Sequence, residues 1–272
     1  MELSMYTVYA LKQNFSSPVE ALSHFYKKGI RYADIVDQEL EKYPMELYCQ
    51  YVNEAGLKPN SLVSMLDIAS ADESVREKNL SAVKGYIDKM EKLGFSILMT
   101  APDVVPAKDE DELKRMQERM LKGFLCLAEY AKGSGIRITI ENQSTLTRAD
   151  SRMQDVSDIL NCVPELGFVL DTGNFFCVRE DVMEAYNLLS DRIVHVHAKD
   201  WNYDINGSYE REGLPRFSGI AIGEGILPLK EVFSRLKADG YDGKVNLEVN
   251  MPEISLETLD RSADFLRSEI YV

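Results

Sequence analysis

The chain has 272 residues, of which 45% are hydrophobic and 28% are charged. That composition is typical of a globular protein with a large core, and the length suits one α/β barrel. The net charge is −14 at pH 7, which opposes the basic surface that nucleic-acid binding requires. No apolar run reaches the length of about 18 residues that crosses a bilayer, so we expect neither a nucleic-acid nor a membrane partner.

The cysteines and the N-terminal segment bear on the cellular compartment. The four cysteines, at positions 49, 126, 162 and 177, have neither a CxxC pair nor metal-finger spacing, and we interpret them as reduced thiols. The segment that begins at Met1 lacks the basic and apolar regions of a secretory signal. These features predict a cytoplasmic protein.

Strand-like and helix-like segments alternate along the chain. Short runs rich in β-branched residues indicate eight strands, at residues 5–11, 30–36, 61–68, 96–100, 136–141, 168–171, 193–197 and 245–249. Amphipathic patterns indicate helices at residues 18–28, 45–55, 72–93, 109–132, 153–161, 180–189, 229–239 and 256–270. Eight β-then-α units predict a single (β/α)₈ barrel, with residues 1–272 forming one domain. The alternative is a doubly wound open sheet, which the lack of a glycine-rich loop after the first strand disfavours.

Four of the predicted strands end in a residue that can bind a metal ion. These residues are Glu141, Asp171, His197 and Glu248. The carboxyl ends of barrel strands lie on one face, where such barrels have their active sites. Three carboxylates and one imidazole suit a hard or borderline divalent cation. The sequence therefore predicts a metal-dependent enzyme, with His195 as the competing imidazole because it lies on the same face of its strand.

The motifs around these strand ends resemble those of the xylose isomerase-like barrel superfamily. They are Ile140-Glu141-Asn142, Leu170-Asp171-Thr172-Gly173-Asn174, His195-Val196-His197-Ala198-Lys199-Asp200, Gly223-Glu224-Gly225 and Leu247-Glu248. The superfamily includes sugar-phosphate isomerases and epimerases, ketose 3-epimerases, hydroxypyruvate isomerases, inosose dehydratases and endonuclease IV. Residues 136–250 carry the motifs, whereas residues 1–135 are similar mainly in their strand–helix rhythm.

The resemblance implies a ligand set and a chemistry. Glu141, Asp171, His197 and Glu248 are expected to bind one divalent metal ion, Mn²⁺, Mg²⁺ or Co²⁺, with Zn²⁺ as an alternative. Glu141 and Glu248 are also expected to be the catalytic acid and base next to a substrate carbonyl. The main hypothesis is isomerisation or epimerisation of a small sugar, keto-hydroxy compound or polyol. Dehydration of an inosose-like ring is the close alternative, and an endonuclease IV-like enzyme and a non-catalytic sugar-binding barrel are remote ones.

The resemblance also suggests residues around the metal ligands. The expected substrate contacts are Asn174, Lys199, Arg211, Arg216 and Trp201. The residues expected to support the ligands are His195, Asp200 and Asn142. Weaker candidates are Asp34 for the substrate pocket, Tyr203 and Phe217 for an apolar wall or lid, and Gln143 and Glu224 near the ligands.

Position 174 departs from the family pattern. The superfamily often has histidine where this chain has Asn174, and asparagine cannot shuttle a proton or readily bind a second metal ion. The chain has three histidines in all, which argues against the histidine-rich site of endonuclease IV. Homo-oligomers are common in such barrels, so an oligomer is a further expectation.

Overall fold

The computed structural model describes residues 1–100, 105–211 and 213–271. Its strands are β1 (Glu2–Tyr6), β2 (Tyr32–Val36), β3 (Lys58–Ser64), β4 (Ile97–Thr100), β5 (Arg137–Glu141), β6 (Gly167–Asp171), β7 (Ile193–Ala198), β8 (Trp201–Tyr203), β9 (Phe217–Gly219) and β10 (Lys244–Leu247). Eight of them close a barrel in the order β1-β10-β7-β6-β5-β4-β3-β2, with parallel pairing throughout. The predicted single (β/α)₈ barrel is confirmed.

Helices alternate with the barrel strands. They are α1 (Thr7–Leu11), α2 (Pro18–Lys27), α3 (Met45–Glu54), α4 (Glu73–Leu93), α5 (Glu110–Tyr130), α6 (Met153–Cys162), α7 (Asn174–Cys177), α8 (Val182–Leu189), α9 (Leu229–Ala238) and α10 (Leu256–Ile270). Short 3₁₀ helices occupy Asp37–Glu41 and Ser190–Arg192. Within the described ranges, none of the helices has the length and apolarity needed to traverse a bilayer.

Local sequence signals set several helix ends. The Ser17 side chain accepts a hydrogen bond from the Glu20 N–H, and Pro18 opens α2, a combination that satisfies free backbone donors. Asp72 caps α4 in the same way, and Gly94 ends that helix with φ at 84°. A left-handed backbone at this position favours glycine because it has no Cβ.

Strand alternation separates the barrel interior from the helix-facing surface. Ile138 and Ile140 of β5 belong to one buried apolar cluster with Phe124 and Leu127 of α5. Burial of such side chains stabilises each by roughly 1.5–3 kcal/mol. The intervening β5 residues face the other way, into the barrel. Glu141 therefore projects inward at the end of its strand.

A buried ionic network around Asp34 lies inside the barrel. Asp34 Oδ1 accepts a 2.7 Å hydrogen bond from the Ser61 hydroxyl, and Oδ2 accepts one of 2.6 Å from Ser4. His195 Nε2 lies 3.1 Å from Asp34 Oδ2. Burial alone would raise the pKa of Asp34, but His195 and the hydroxyl donors outweigh it and lower the pKa to about 2. Asp34 is fully buried and both of its carboxylate oxygens are engaged inside the barrel, which argues against the predicted place in a substrate pocket.

The first strand also differs from its prediction. Residues 5–11 were expected to form it, but β1 spans Glu2–Tyr6 and α1 follows from Thr7. Tyr6 pairs with Asp34 of β2, and the Thr7 hydroxyl donates to the Asp34 carbonyl at 3.1 Å. A short apolar run is compatible with a strand or a buried helix, so only these contacts between strands fix the boundary.

Candidate metal centre

Four adjacent barrel strands carry the candidate ligands at their carboxyl ends. Glu141 ends β5 and Asp171 ends β6. His197 is next to last in β7, and Glu248 directly follows β10. The strand order β5-β6-β7-β10 puts the two glutamates at the outer positions of this run. One possible ligand atom from each of the four residues lies within 4.8 Å of all the others, so the fold brings the whole predicted set together.

His197 is in direct contact with both glutamates. Its Nδ1 lies 2.5 Å from Glu141 Oε1 and 3.1 Å from Glu248 Oε2. Burial alone would lower the pKa of His197, but the two glutamates outweigh it and raise the pKa to about 10. Without a metal ion, the imidazole is therefore protonated at neutral pH and pairs with the carboxylates.

Lys199 supplies a second cation to the cluster. Its Nζ lies 2.7 Å from Asp171 Oδ2 and 2.7 Å from Glu248 Oε1. Burial and the neighbouring carboxylates raise the pKa of Asp171, although Lys199 opposes them. Burial would also raise the pKa of Glu248, but Lys199 and His197 outweigh it and lower the pKa to about 2. Glu248 is therefore ionised at neutral pH.

The donor set fits a divalent metal ion. Asp171 Oδ2 and Glu248 Oε2 are buried and accept no hydrogen bond from the described part of the chain. Each has a cation as an ion-pair neighbour, Lys199 and His197 respectively. Buried oxygens without hydrogen bonds are costly unless a cation binds them. Three carboxylates and one imidazole match the ligand preferences of Mn²⁺, Mg²⁺, Co²⁺ or Zn²⁺.

Neighbouring amides hold two of the candidate ligands in place. Asn142 accepts from the Asp171 N–H at 2.9 Å and donates to the Asp171 carbonyl at 3.1 Å. Gln143 Nε2 donates to Glu141 Oε2 at 2.9 Å. The predicted supporting role of Asn142 thus takes the form of a clamp on the end of β6.

Asp200 organises the long loop that follows β7. Its carboxylate accepts the N–H groups of Trp201, Gly223, Gly225 and Leu227 at 2.9–3.3 Å. A Cβ on Gly225 would lie 2.2 Å from Asp200 Oδ1, so this close approach requires glycine. Asp200 therefore supports the site by fixing the loop that begins beside Lys199.

Comparison with known proteins agrees with this geometry. The sequence model of the family described as Xylose isomerase-like TIM barrel matches residues 26–269. The chain belongs to this family.

Similar proteins include an inosose isomerase and an inosose dehydratase. An inosose isomerase of Halalkalibacterium halodurans is 22% identical over 88% of this chain and 84% of that enzyme. An inosose dehydratase of Lacticaseibacillus casei is 23% identical, and the match spans 50% of this chain and 44% of that enzyme. The crystal structure of the IOLI protein with a zinc atom has a TM-score of 0.81 at 18% identity, covering 99% of this chain and 98% of that one. This last similarity establishes a shared fold.

The predicted substrate residues divide into two groups in this xylose isomerase-like barrel. Asn174 and Lys199 lie at the cluster, with Nζ 3.2 Å from Asn174 Oδ1. Trp201 is fully buried and donates from Nε1 to the Gly173 carbonyl at 2.9 Å. Phe217 is also buried, with its ring centroid 5.1 Å from that of Trp201. The last two side chains form the core of the loop, which argues against a direct substrate contact for Trp201 or a mobile lid.

The loop arginines and Glu224 are likewise engaged elsewhere. Arg216 is half exposed and pairs with Glu210 at 2.7 Å. Arg211 donates from Nε to the Ser144 carbonyl at 3.3 Å, which ties the loop to the segment after β5. Glu224 pairs with Arg261 on the surface at 2.7 Å. The geometry gives Arg211 a bridging role and does not bring Arg216 or Glu224 to the cluster.

His195 lies deeper than the cluster. Its Nδ1 is 3.1 Å from the Lys244 carbonyl, and its Nε2 faces Asp34. Both ring nitrogens are therefore turned toward oxygen atoms of the barrel interior. The His195 and His197 ring centroids are 5.1 Å apart, so His195 packs beneath the candidate ligand, and the family-based choice of His197 agrees with the geometry.

Tyr6 is a site residue that the sequence analysis missed. Its hydroxyl lies 3.4 Å from His197 Nδ1, and its ring centroid lies 5.2 Å from that of His197. Burial, with Glu248 and Glu141 nearby, raises the pKa of Tyr6, so its hydroxyl stays protonated. A predicted first strand that ended at Tyr6 would have placed this residue near the ligands, because the carboxyl ends of the strands form the active face.

Proposed function

We propose that the protein is a divalent-metal-dependent isomerase or epimerase of a small sugar, polyol or keto-hydroxy compound. The position of Glu141 and Glu248, at the two outer strands of the ligand run, is the observation that carries the proposal. Two carboxylates on either side of a substrate carbon can remove a proton from one face and return one to the other. Asp171 and His197, between them, would mainly hold the metal ion.

The metal ion would act as a Lewis acid that stabilises negative charge on neighbouring carbonyl and hydroxyl oxygens of the substrate. Glu248 directly follows β10, with its two carboxylate oxygens beside Lys199 and His197, and we assign it the removal of the first proton. Gln143 holds Glu141 through Oε2, which leaves Oε1 directed into the cluster. Lys199 and Asn174 can bind substrate hydroxyls, because both lie beside the ligand atoms.

Dehydration is the second candidate reaction. It begins with the same proton removal and then needs an acid that protonates the departing hydroxide. The Lys199 ammonium beside Glu248 can donate a hydrogen bond to the departing oxygen, and an inosose dehydratase is among the similar proteins. Retention of all four candidate ligands disfavours a non-catalytic sugar-binding barrel, and the net charge of −14 disfavours an endonuclease.

Several finer assignments belong to the same proposal. Mn²⁺ is our first candidate because carboxylate-rich sites with one imidazole suit it. We also propose that residues 1–272 form one domain and that the protein is cytoplasmic and does not bind nucleic acid. We also propose a homo-oligomer, because homo-oligomers are common among such barrels.

A substrate screen in deuterium oxide tests the reaction class. Ketoses, hydroxypyruvate and inososes would be incubated with the protein and Mn²⁺, Mg²⁺ or Co²⁺. Isomerisation or epimerisation should put solvent deuterium on the reacting carbon, whereas dehydration should give an unsaturated or keto product with loss of water. Failure of every substrate to exchange or react, with metal bound, would contradict the proposal.

A further inference from the structure

The Lys199 ammonium lies among oxygens that a metal ion would use. It contacts Asp171 Oδ2 and Glu248 Oε1, each at 2.7 Å. Its side chain is only 5% exposed, and its backbone N–H donates to the Thr172 hydroxyl at 2.9 Å. One cation of the chain itself therefore bridges carboxylates from two different strands.

A divalent ion would need the same two carboxylates. Metal ions bind carboxylate oxygens at roughly 2.0–2.2 Å, so a metal ion and an ammonium that share these two carboxylates would be close neighbours. Two cations at such a separation repel strongly in a buried site, because little water is present to screen them. The metal ion and Lys199 therefore compete for Asp171 and Glu248.

Asn174 offers the ammonium another partner. Its Oδ1 lies 3.2 Å from Lys199 Nζ. Its Nδ2 donates to the Asn142 carbonyl at 2.9 Å, which fixes the amide with its oxygen toward the lysine. The lysine can therefore give up both carboxylates and still keep its hydrogen bond to Asn174.

We propose that Lys199 is a positioning residue that acts as a built-in competitor of the metal ion. Without metal, Lys199 holds the carboxylates of Asp171 and Glu248 together. When a divalent ion binds, Lys199 gives up these carboxylates and keeps Asn174 as its hydrogen-bond acceptor. The lysine thereby stabilises the metal-free site and weakens metal affinity. This inference rests on the proposed function in that the cluster must bind a divalent ion.

Mn²⁺ binding to chelator-treated protein tests the competition. Free Mn²⁺ would be followed by electron paramagnetic resonance, and the melting temperature of the metal-free protein would be measured in parallel. Lys199→Met should tighten Mn²⁺ binding about ten-fold or more, because Asp171 and Glu248 then lose the ammonium that partly neutralises them. The same variant should lower the metal-free melting temperature. Lys114→Met, an exposed lysine on α5, removes an equal charge outside the cluster and should change neither quantity.

The alternative outcomes are distinct. Equal or weaker Mn²⁺ binding by Lys199→Met would mean that the lysine supports the ligands, and the inference would be overturned. Binding by that variant when the unsubstituted protein binds no metal would support the competition and contradict the proposed function. Binding by neither protein would overturn both.

Asn174→Ala tests the second half of the inference and does not require the lysine variant to fold without metal. Removing the acceptor should weaken Mn²⁺ binding several-fold in the lysine-containing protein, because the displaced ammonium loses its partner. The loss should disappear in the double variant with Lys199→Met, which can be prepared with Mn²⁺ present. An Asn174→Ala protein with unchanged affinity would rule out Asn174 as the acceptor that Lys199 keeps.

Discussion

The two halves of the barrel rim differ in chemistry. Strands β5, β6, β7 and β10 end in ionisable side chains whose potential ligand atoms lie within 4.8 Å of one another. On the opposite half, Tyr6, Val63 and Met99 form a small buried cluster that reaches Val169 of β6 and packs against Val36. Beside it lies a cleft of about 450 Å³ whose lining combines Val8 and Val36 with the charged side chains of Lys12, Glu39 and Lys42.

This difference separates two tasks. Ligands for one ion must converge, so the fold places them on adjacent strands where parallel pairing fixes their spacing. The half with the apolar cluster, called the apolar half below, has no comparable group of ligand atoms among the described residues, but it can limit the shape of the carbon skeleton that approaches the ion. Substitutions on the ionic half should therefore change chemistry or metal affinity, and those on the apolar half should change substrate affinity.

The largest expected effect comes from Glu248→Gln. Loss of the base should slow deuterium exchange into substrate by about 10²–10⁴-fold, while the other three ligands retain some metal. Mass spectrometry of the recovered substrate measures the exchange. Glu224→Gln, at a surface ion pair with Arg261, is the matched control and should exchange normally. Undiminished exchange in Glu248→Gln would remove this residue from proton transfer.

Metal affinity should rise with pH. The pKa of His197 is raised to about 10, so the imidazole carries a proton at neutral pH that a metal ion must displace. One displaced proton gives about ten-fold tighter binding per pH unit below that pKa, or roughly 100-fold between pH 6 and 8. Mn²⁺ titrations at pH 6, 7 and 8 provide the measurement. Affinity independent of pH would show that His197 is not a ligand or is not protonated beforehand.

Asp34→Asn should lower stability without removing the metal site. Breaking the buried pair with His195 is expected to cost about 3 kcal/mol in the free energy of unfolding, measured by urea denaturation at pH 7. Because the folded pKa of about 2 lies below the ordinary value of 3.8, Asp34 stabilises the fold above about pH 4. That contribution is lost as the pH falls through 2. The difference in the free energy of unfolding between the unsubstituted protein and Asp34→Asn should therefore shrink on acidification. Asp242→Asn, at an exposed position, should leave stability nearly unchanged; an equal loss there would contradict the account.

The smallest effect is expected for Tyr6→Phe. The hydroxyl stands 3.4 Å from His197 Nδ1 on the apolar half, where it can contact substrate. Its loss should raise KM by about three- to ten-fold with little change in kcat, consistent with one hydrogen bond. Steady-state kinetics on the substrate found in the screen, with the exposed Tyr26→Phe as control, checks this. A large fall in kcat with unchanged KM would place Tyr6 in the proton transfer itself.

The sequence predicted the residues of the ionic half better than those around it. Glu141 and Asp171 could be recognised because short runs rich in apolar residues lead directly into them, and a strand end is a local signal. Tyr6 escaped because the residues after it are as apolar as those before it, and its position depends on pairing with Asp34. Trp201 looked like a pocket wall because its burial depends on Gly173 and Phe217, which are distant in the chain. Contacts of this kind leave no local pattern in the sequence.

Metal stoichiometry tests the central claim most directly. Isothermal titration of chelator-treated protein with Mn²⁺ should give one equivalent bound, with a higher melting temperature in the bound state. A variant combining Asp171→Asn and His197→Gln should lose that binding while retaining the barrel fold by circular dichroism. If the unsubstituted protein binds no Mn²⁺, Mg²⁺, Co²⁺ or Zn²⁺, or if the variant binds as well as it does, the four strand ends are not a metal site.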